Sequence, residues 1–169
     1  MPKDNIEIER KFVIKRPLDE DMQRADGYVN TDILQIYLAS PKEITHRVRR
    51  SVRVGVPTFY ETKKIRIDRI SAFEDECEIS SERFYELMKN RREGSLPIEK
   101  TRHTFYYKGQ KFEVDVYMQW RTTCIMETEL ENRDTEFEIP PFIKVVKEVT
   151  GESQYSNSAM ANSFPPELK

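Results

Sequence analysis

The chain has 169 residues, and 28 Lys and Arg nearly balance 30 Asp and Glu, for a formal net charge of −2. That length suits one domain with a single core, and the charge balance argues against a dedicated nucleic-acid binder, which would carry a basic excess. No run of about 18 uncharged apolar residues could cross a membrane as a helix, and the opening MPKDNIEIER lacks a signal-peptide apolar stretch, so a soluble, cytoplasmic protein is expected.

Nine Phe, eight Tyr and many β-branched residues suit a sheet-rich fold. Period-two alternation predicts eight strands, at about 5–14, 32–39, 44–54, 58–67, 72–79, 98–107, 111–118 and 123–131. A short helix is expected around Pro17 to Ala25. The links SPKE, VGVP and KGQK are short enough to make the flanking strands antiparallel hairpins. SERFYELMKNRRE reads as a helix capped by Ser80 or Ser81, with Phe84, Leu87 and Met88 on one face. After the last strand, IPPFIKVVKEV is read as a short helix started by Pro140 and Pro141, YSNSAMA as another, and residues 163–169 as a loose tail. Cys77 and Cys124 are expected to be small buried hydrophobes. His46 and His103 stand too far from other ligands in sequence to suggest zinc.

The alternation carries an inversion. In NIEIERKF, Glu7, Glu9 and Lys11 line one face while Ile6, Ile8 and Phe12 share the other with Arg10. THRVRRSVRV groups Arg47, Arg49 and Arg53, EDECEIS groups Glu74, Glu76 and Glu78, and EKTRHTFYY groups Lys100 and Arg102. FEVDVYM sets Glu113, Asp115 and Tyr117 against four apolar residues, CIMETEL presents Glu127 and Glu129, and DILQIYLAS presents Gln35 and Tyr37. FYETKKIRI is ambiguous, since a one-residue slip would exchange Lys64 for Lys63.

Two architectures fit such strands: an open sheet with its charged face in water, or a closed barrel with an ionic bore. Segregation of cation rows and carboxylate rows onto different strands favours the barrel. The fold class expected is α+β, mainly β: an eight-stranded antiparallel β-barrel tunnel with a charged lumen and helices packed on the outside. Desolvating a charge costs several kcal/mol, so a bore with more than a dozen must hold water, ions and a charged ligand. Clustered Arg and Lys match several phosphate groups, and carboxylates beside them call for a divalent cation in between.

EIERK, followed in order by QIYL, RVRR, TKK, ECEI, EKTRH, FEVDVY, METEL and KEVTGESQYSN, resembles the CYTH superfamily, the triphosphate tunnel metalloenzymes, over roughly residues 5–161. The resemblance implies an eight-stranded tunnel open at both ends. It implies Mg²⁺ or Mn²⁺ held by Glu7, Glu9, Glu127 and Glu129 with Asp115 as a helper, and a polyphosphate gripped by Lys11, Arg47, Arg49, Lys64, Lys100 and Arg102. Glu76, Glu78 and Glu113 complete the acidic lining, and Tyr37 joins Lys11, Lys64 and Lys100 as a catalytic candidate. One departure stands out: a basic residue often precedes the C-terminal Y-x-N element, where this chain has Ser153. The compact chain is most similar to the short bacterial inorganic triphosphatases. Class IV adenylate cyclase, thiamine triphosphatase and a non-catalytic polyphosphate-binding module are the alternatives. The expected partner is a small triphosphate-containing molecule, with neither nucleic acid nor membrane, and the oligomeric state is left open.

Overall fold

The computed structural model describes residues 5–169. Its strands are β1 (Ile6–Lys15), β2 (Asp26–Tyr37), β3 (Thr45–Arg53), β4 (Val56–Arg66), β5 (Ser71–Ile79), β6 (Ile98–Tyr107), β7 (Gln110–Tyr117), β8 (Thr123–Glu129) and β9 (Val145–Glu148). They form one antiparallel sheet in the order β5-β4-β3-β2-β6-β7-β8-β1-β9, and a further β5–β1 pairing closes the first eight into a barrel.

β1 is the closing strand. One of its edges pairs Glu9 to Lys15 with Glu129 to Thr123 of β8, and the other pairs Ile6 to Ile8 with Phe73 to Ser71 of β5. Past Ile8 the second edge would be left without partners, and β9 fills it opposite Phe12 to Ile14. This corrects the helix expected in IPPFIKVVKEV. The prolines set only a turn, with the Ile143 amide on the Pro140 carbonyl at 2.9 Å, and the β-branched pair Val145–Val146 satisfies an open sheet edge instead.

Two hairpins turn on two residues with positive φ, Val54 (47°) with Gly55 (76°), and Lys108 (48°) with Gly109 (78°). These mirror-type turns match the right-handed twist of the strands they join. β2 begins six residues earlier than its alternation indicates, because a register shift between Asp26 and Val29 breaks the period.

The outer wall is apolar. α1 (Asp19–Gln23) buries Met22 against Phe12, Ile14, Phe105, Phe112, Cys124 and Met126, and α2 (Ser81–Leu87) buries Phe84 and Leu87 against Ile36, Leu38 and Val48. Ser80 caps α2 by accepting the Arg83 amide at 3.1 Å. Cys124 is buried as expected, but Cys77 is exposed on the outward face of β5.

α3 (Asn157–Met160) does not join this outer layer. Val13, Ile98, Tyr117 and Ile125 share the inward faces of β1, β6, β7 and β8 with the charged rows. They meet Trp120, Tyr155, Met160, Ala161 and Phe164 in one cluster. The bore therefore turns apolar along that side, where the C-terminal segment packs into its end. The tail is also anchored rather than loose: the Trp120 indole donates to the Pro165 carbonyl at 3.0 Å, and one Glu167 oxygen accepts the amides of Thr122 (2.6 Å) and Thr123 (2.8 Å).

Candidate active site

A cavity of about 750 Å³ occupies the charged part of the bore. Its deepest layer comes from β6, β7 and β8. Register places Arg102 opposite Asp115, with Lys100 one inward position away, so both cations reach the same carboxylate. One Asp115 oxygen accepts Arg102 Nε at 2.6 Å, and the other accepts Lys100 Nζ at 2.6 Å and Arg102 Nη2 at 2.7 Å. Arg102 also reaches Glu113 (2.6 Å) and Glu127 (3.1 Å), and Lys11 Nζ lies 2.8 Å from Glu127. Asp115 is fully buried, which would favour its neutral acid, yet the charges of Arg102 and Lys100 hold its carboxyl below the usual range. Glu127 is held down in the same way by Lys11 and Arg102. Burial lowers Lys100 to about 8, opposed by Asp115 and reinforced by Arg102.

β3 and β4 supply a cationic wall. Arg49 Nη2 bonds Glu76 at 2.9 Å, while the nearest carboxylates to Arg47 stand at 3.7 Å (Glu74) and 3.8 Å (Glu76). The Nε donors of both arginines are buried without any hydrogen-bond partner. Buried guanidinium donors left unpaired are costly, and both arginines line the cavity, so the pair suits an anionic guest. Tyr37 is 2 % exposed, and its hydroxyl accepts Gln35 Nε2 at 2.6 Å. Lys64, paired with Glu7 and 3.3 Å from Glu74, faces the cavity, whereas Lys63 is exposed outside. Burial works against the ammonium groups of Lys11 and Lys64, but the carboxylates around them outweigh it and keep both pKa values above the ordinary lysine value.

The acidic wall lies where β1 meets β8. Glu9 and Glu129 are direct cross-strand neighbours. Burial and the charge of Glu127 raise Glu9 to about 7. Burial and the charge of Glu7 raise Glu129. Among the described residues no three carboxylate, imidazole or thiol groups form a ready-made metal cage. A hard cation such as Mg²⁺ needs only one or two carboxylates when waters and substrate phosphates complete its octahedron. Two adjacent carboxylates whose ionisation is resisted by burial and by the acids around them therefore fit it. Asp115 does not, because both of its oxygens are already engaged by Lys100 and Arg102.

No family model matches the chain. It is 30% identical over 158 residues, 93% of its length and 94% of the other protein's, to an inorganic triphosphatase of Acetivibrio thermocellus. The chain belongs to the inorganic triphosphatase family. The crystal structure of the inorganic triphosphatase NE1496 aligns with 95% of the chain at a TM-score of 0.60 and 30% identity, covering 97% of that protein. PH1012 from Pyrococcus horikoshii, at 24% identity and a TM-score of 0.53 over 75% of this chain and 80% of that one, shares the fold.

Among the residues that the triphosphatase resemblance singles out, Glu7, Glu9, Lys11, Tyr37, Arg47, Arg49, Lys64, Glu76, Lys100, Arg102, Glu113, Glu127 and Glu129 all line this one cavity. Asp115 lies behind the lining, bonded to two of its cations. Glu78 shares the inward face of β5 but stands exposed beyond the cavity. The favoured polar face of FYETKKIRI, with Tyr60, Thr62, Lys64 and Arg66, puts Arg66 in the lining as well, while alternation missed Arg69 and Lys111 and the part that Asn157 and Ser158 of the C-terminal segment add beside Ser153. Lys111 falls on the inward parity of β7 and could have been found by extending that row. Arg69 sits in a turn, where no periodicity exists to reveal it.

Proposed function

We propose that the protein hydrolyses inorganic triphosphate to pyrophosphate and phosphate with Mg²⁺ or Mn²⁺ bound, and without a covalent protein intermediate. Water oxygen joins the terminal phosphorus, and the bridging oxygen leaves on pyrophosphate. The observation that carries this reading is the pair of arginines with an unpartnered Nε, Arg47 and Arg49, lining a cavity that also presents Lys11, Lys64, Lys100 and Arg102. A linear chain of phosphates matches cations repeated along a bore. Arg47, with the longest ion pairs of the set, is the one least committed to protein carboxylates.

Lys11 and Lys64 stay ammonium groups at neutral pH and act by stabilising charge on the transferring phosphoryl group. Tyr37 is a poor base, because burial raises its phenol despite the charge of Arg47. It holds Gln35 and the Arg47 side of the wall in place. Glu9, Glu129 and Glu7 are the residues that would hold the cation, which when bound draws charge from phosphate oxygens and bound water. Glu9 holds its proton until near pH 7 in the metal-free site, so the site loads more fully as pH rises.

Phosphate release from tripolyphosphate, ATP and thiamine triphosphate with Mg²⁺, Mn²⁺ or EDTA tests the reading. Metal-dependent release from tripolyphosphate is expected. Cyclic AMP from ATP with tripolyphosphate untouched would instead assign the cyclase activity, and metal-independent binding without turnover would assign a binding module.

A further inference from the structure

Arg69 belongs to no strand, yet its side chain reaches the cavity from the turn between β4 and β5. Its Nε donates to the Thr150 carbonyl at 2.9 Å, and among the described residues neither Nη engages a carboxylate. The acids closest to it in the chain and across the loop are occupied elsewhere: Asp68 pairs with Arg133, and Glu148 with Arg10 at 2.8 Å. The facing loop is shaped around this side chain. Gly151 has φ +74°, and a Cβ there would stand 2.2 Å from Arg69 Cγ and 2.9 Å from the Arg69 carbonyl oxygen. Two residues further on, Ser153 lines the same cavity at the position where the family resemblance implies a cation.

We propose that Arg69 supplies, from the β4–β5 turn, the cation that Ser153 does not, and that its free Nη pair grips a terminal phosphate at the end of the bore where the C-terminal segment packs. This rests on the triphosphate reading. Tethering through Nε fixes the guanidinium plane and leaves two parallel N–H donors, the geometry that a phosphate accepts bidentately.

The test compares wild type with Arg69→Gln, with Arg69→Gln plus Ser153→Arg, and with Lys63→Gln as a control of equal charge change on the outer wall. Readouts are KM and kcat for tripolyphosphate, calorimetric affinity for tripolyphosphate in EDTA, and Tm. A charge-assisted hydrogen bond from an exposed side chain is worth about tenfold in affinity. Arg69→Gln is therefore expected to raise KM about tenfold and weaken metal-free binding equally. It should leave kcat nearly unchanged, Ser153→Arg should restore affinity, and Lys63→Gln should change nothing. An Arg69→Gln protein that keeps wild-type KM and affinity overturns the inference. So does one whose defect is a lowered Tm that Ser153→Arg does not repair, which would make Arg69 a brace for the Thr150 loop. If wild type itself neither binds nor hydrolyses tripolyphosphate, the triphosphate reading falls and this inference with it.

Discussion

Replacing Asp115 by Asn would remove the charge that two buried cations share. Asp115 is fully buried, and Lys100 and Arg102 both contact it at 2.6 Å. The variant keeps the shape but leaves Lys100 facing Arg102 without the intervening carboxylate. Breaking a buried ion pair by neutralising one partner costs about 3–5 kcal/mol. At about 2–4 °C per kcal/mol for a domain of this size, Tm should fall by about 6–20 °C. The pH dependence has a definite sign. Lys100 titrates near 8 when folded, against 10.5 for the free side chain. The unfolded chain thus binds the extra proton between those values, and wild-type stability gains from this group as pH rises through that window. Without Asp115 the folded value drops further, so the window should open at lower pH and the alkaline limb of tripolyphosphate hydrolysis should move down by about one pH unit or more. Circular-dichroism melts across pH 6–10 and a pH–rate profile read both effects. A Tm within about 2 °C of wild type together with an unmoved alkaline limb would refute the reasoning, since it would mean that the cations do not depend on Asp115.

Glu9→Gln should abolish metal-stimulated turnover yet stabilise the metal-free protein at pH 8. The rise from 4.5 to about 7 corresponds to at most about 3 kcal/mol of ionisation penalty, present above pH 7 and gone below 4.5; melts in EDTA at both pH values would show it. Arg47→Met should raise KM for tripolyphosphate about tenfold to a hundredfold, with Tm unchanged or higher, because a buried donor without a partner is removed; steady-state kinetics beside a melt separates the two. Glu167→Ala should lower Tm at neutral pH. Hydrogen bonds from the Thr122 backbone first, opposed by desolvation, bring Glu167 to about 2, so the deficit relative to wild type should be present above pH 4.5 and vanish as pH falls through about 2.

The bore was legible because a strand reports its two faces at every second residue. Glu7, Glu9 and Lys11 alternate with Ile6, Ile8 and Arg10, and inward parity in the sheet is the parity of the charged rows. The Lys63 and Lys64 ambiguity could not be settled that way, since both faces of that strand carry polar residues. Pairing decided it, by setting Thr62 opposite Arg47 and Glu76. β9 was misread because its alternative, a free edge on β1, exists only after the barrel has formed.

Alternation and charge type in the chain alone determined strands with one ionic and one apolar face, since both are local properties of consecutive residues. Which ions meet depends on distances across strands far apart in sequence. Only the folded barrel could turn Asp115 from a candidate metal ligand into the shared counter-ion of Lys100 and Arg102, pack the C-terminal segment against one end of the bore, and bring Arg69 of one turn against Gly151 of another. Turns and chain ends carry no periodicity, so their place at the site follows from packing alone.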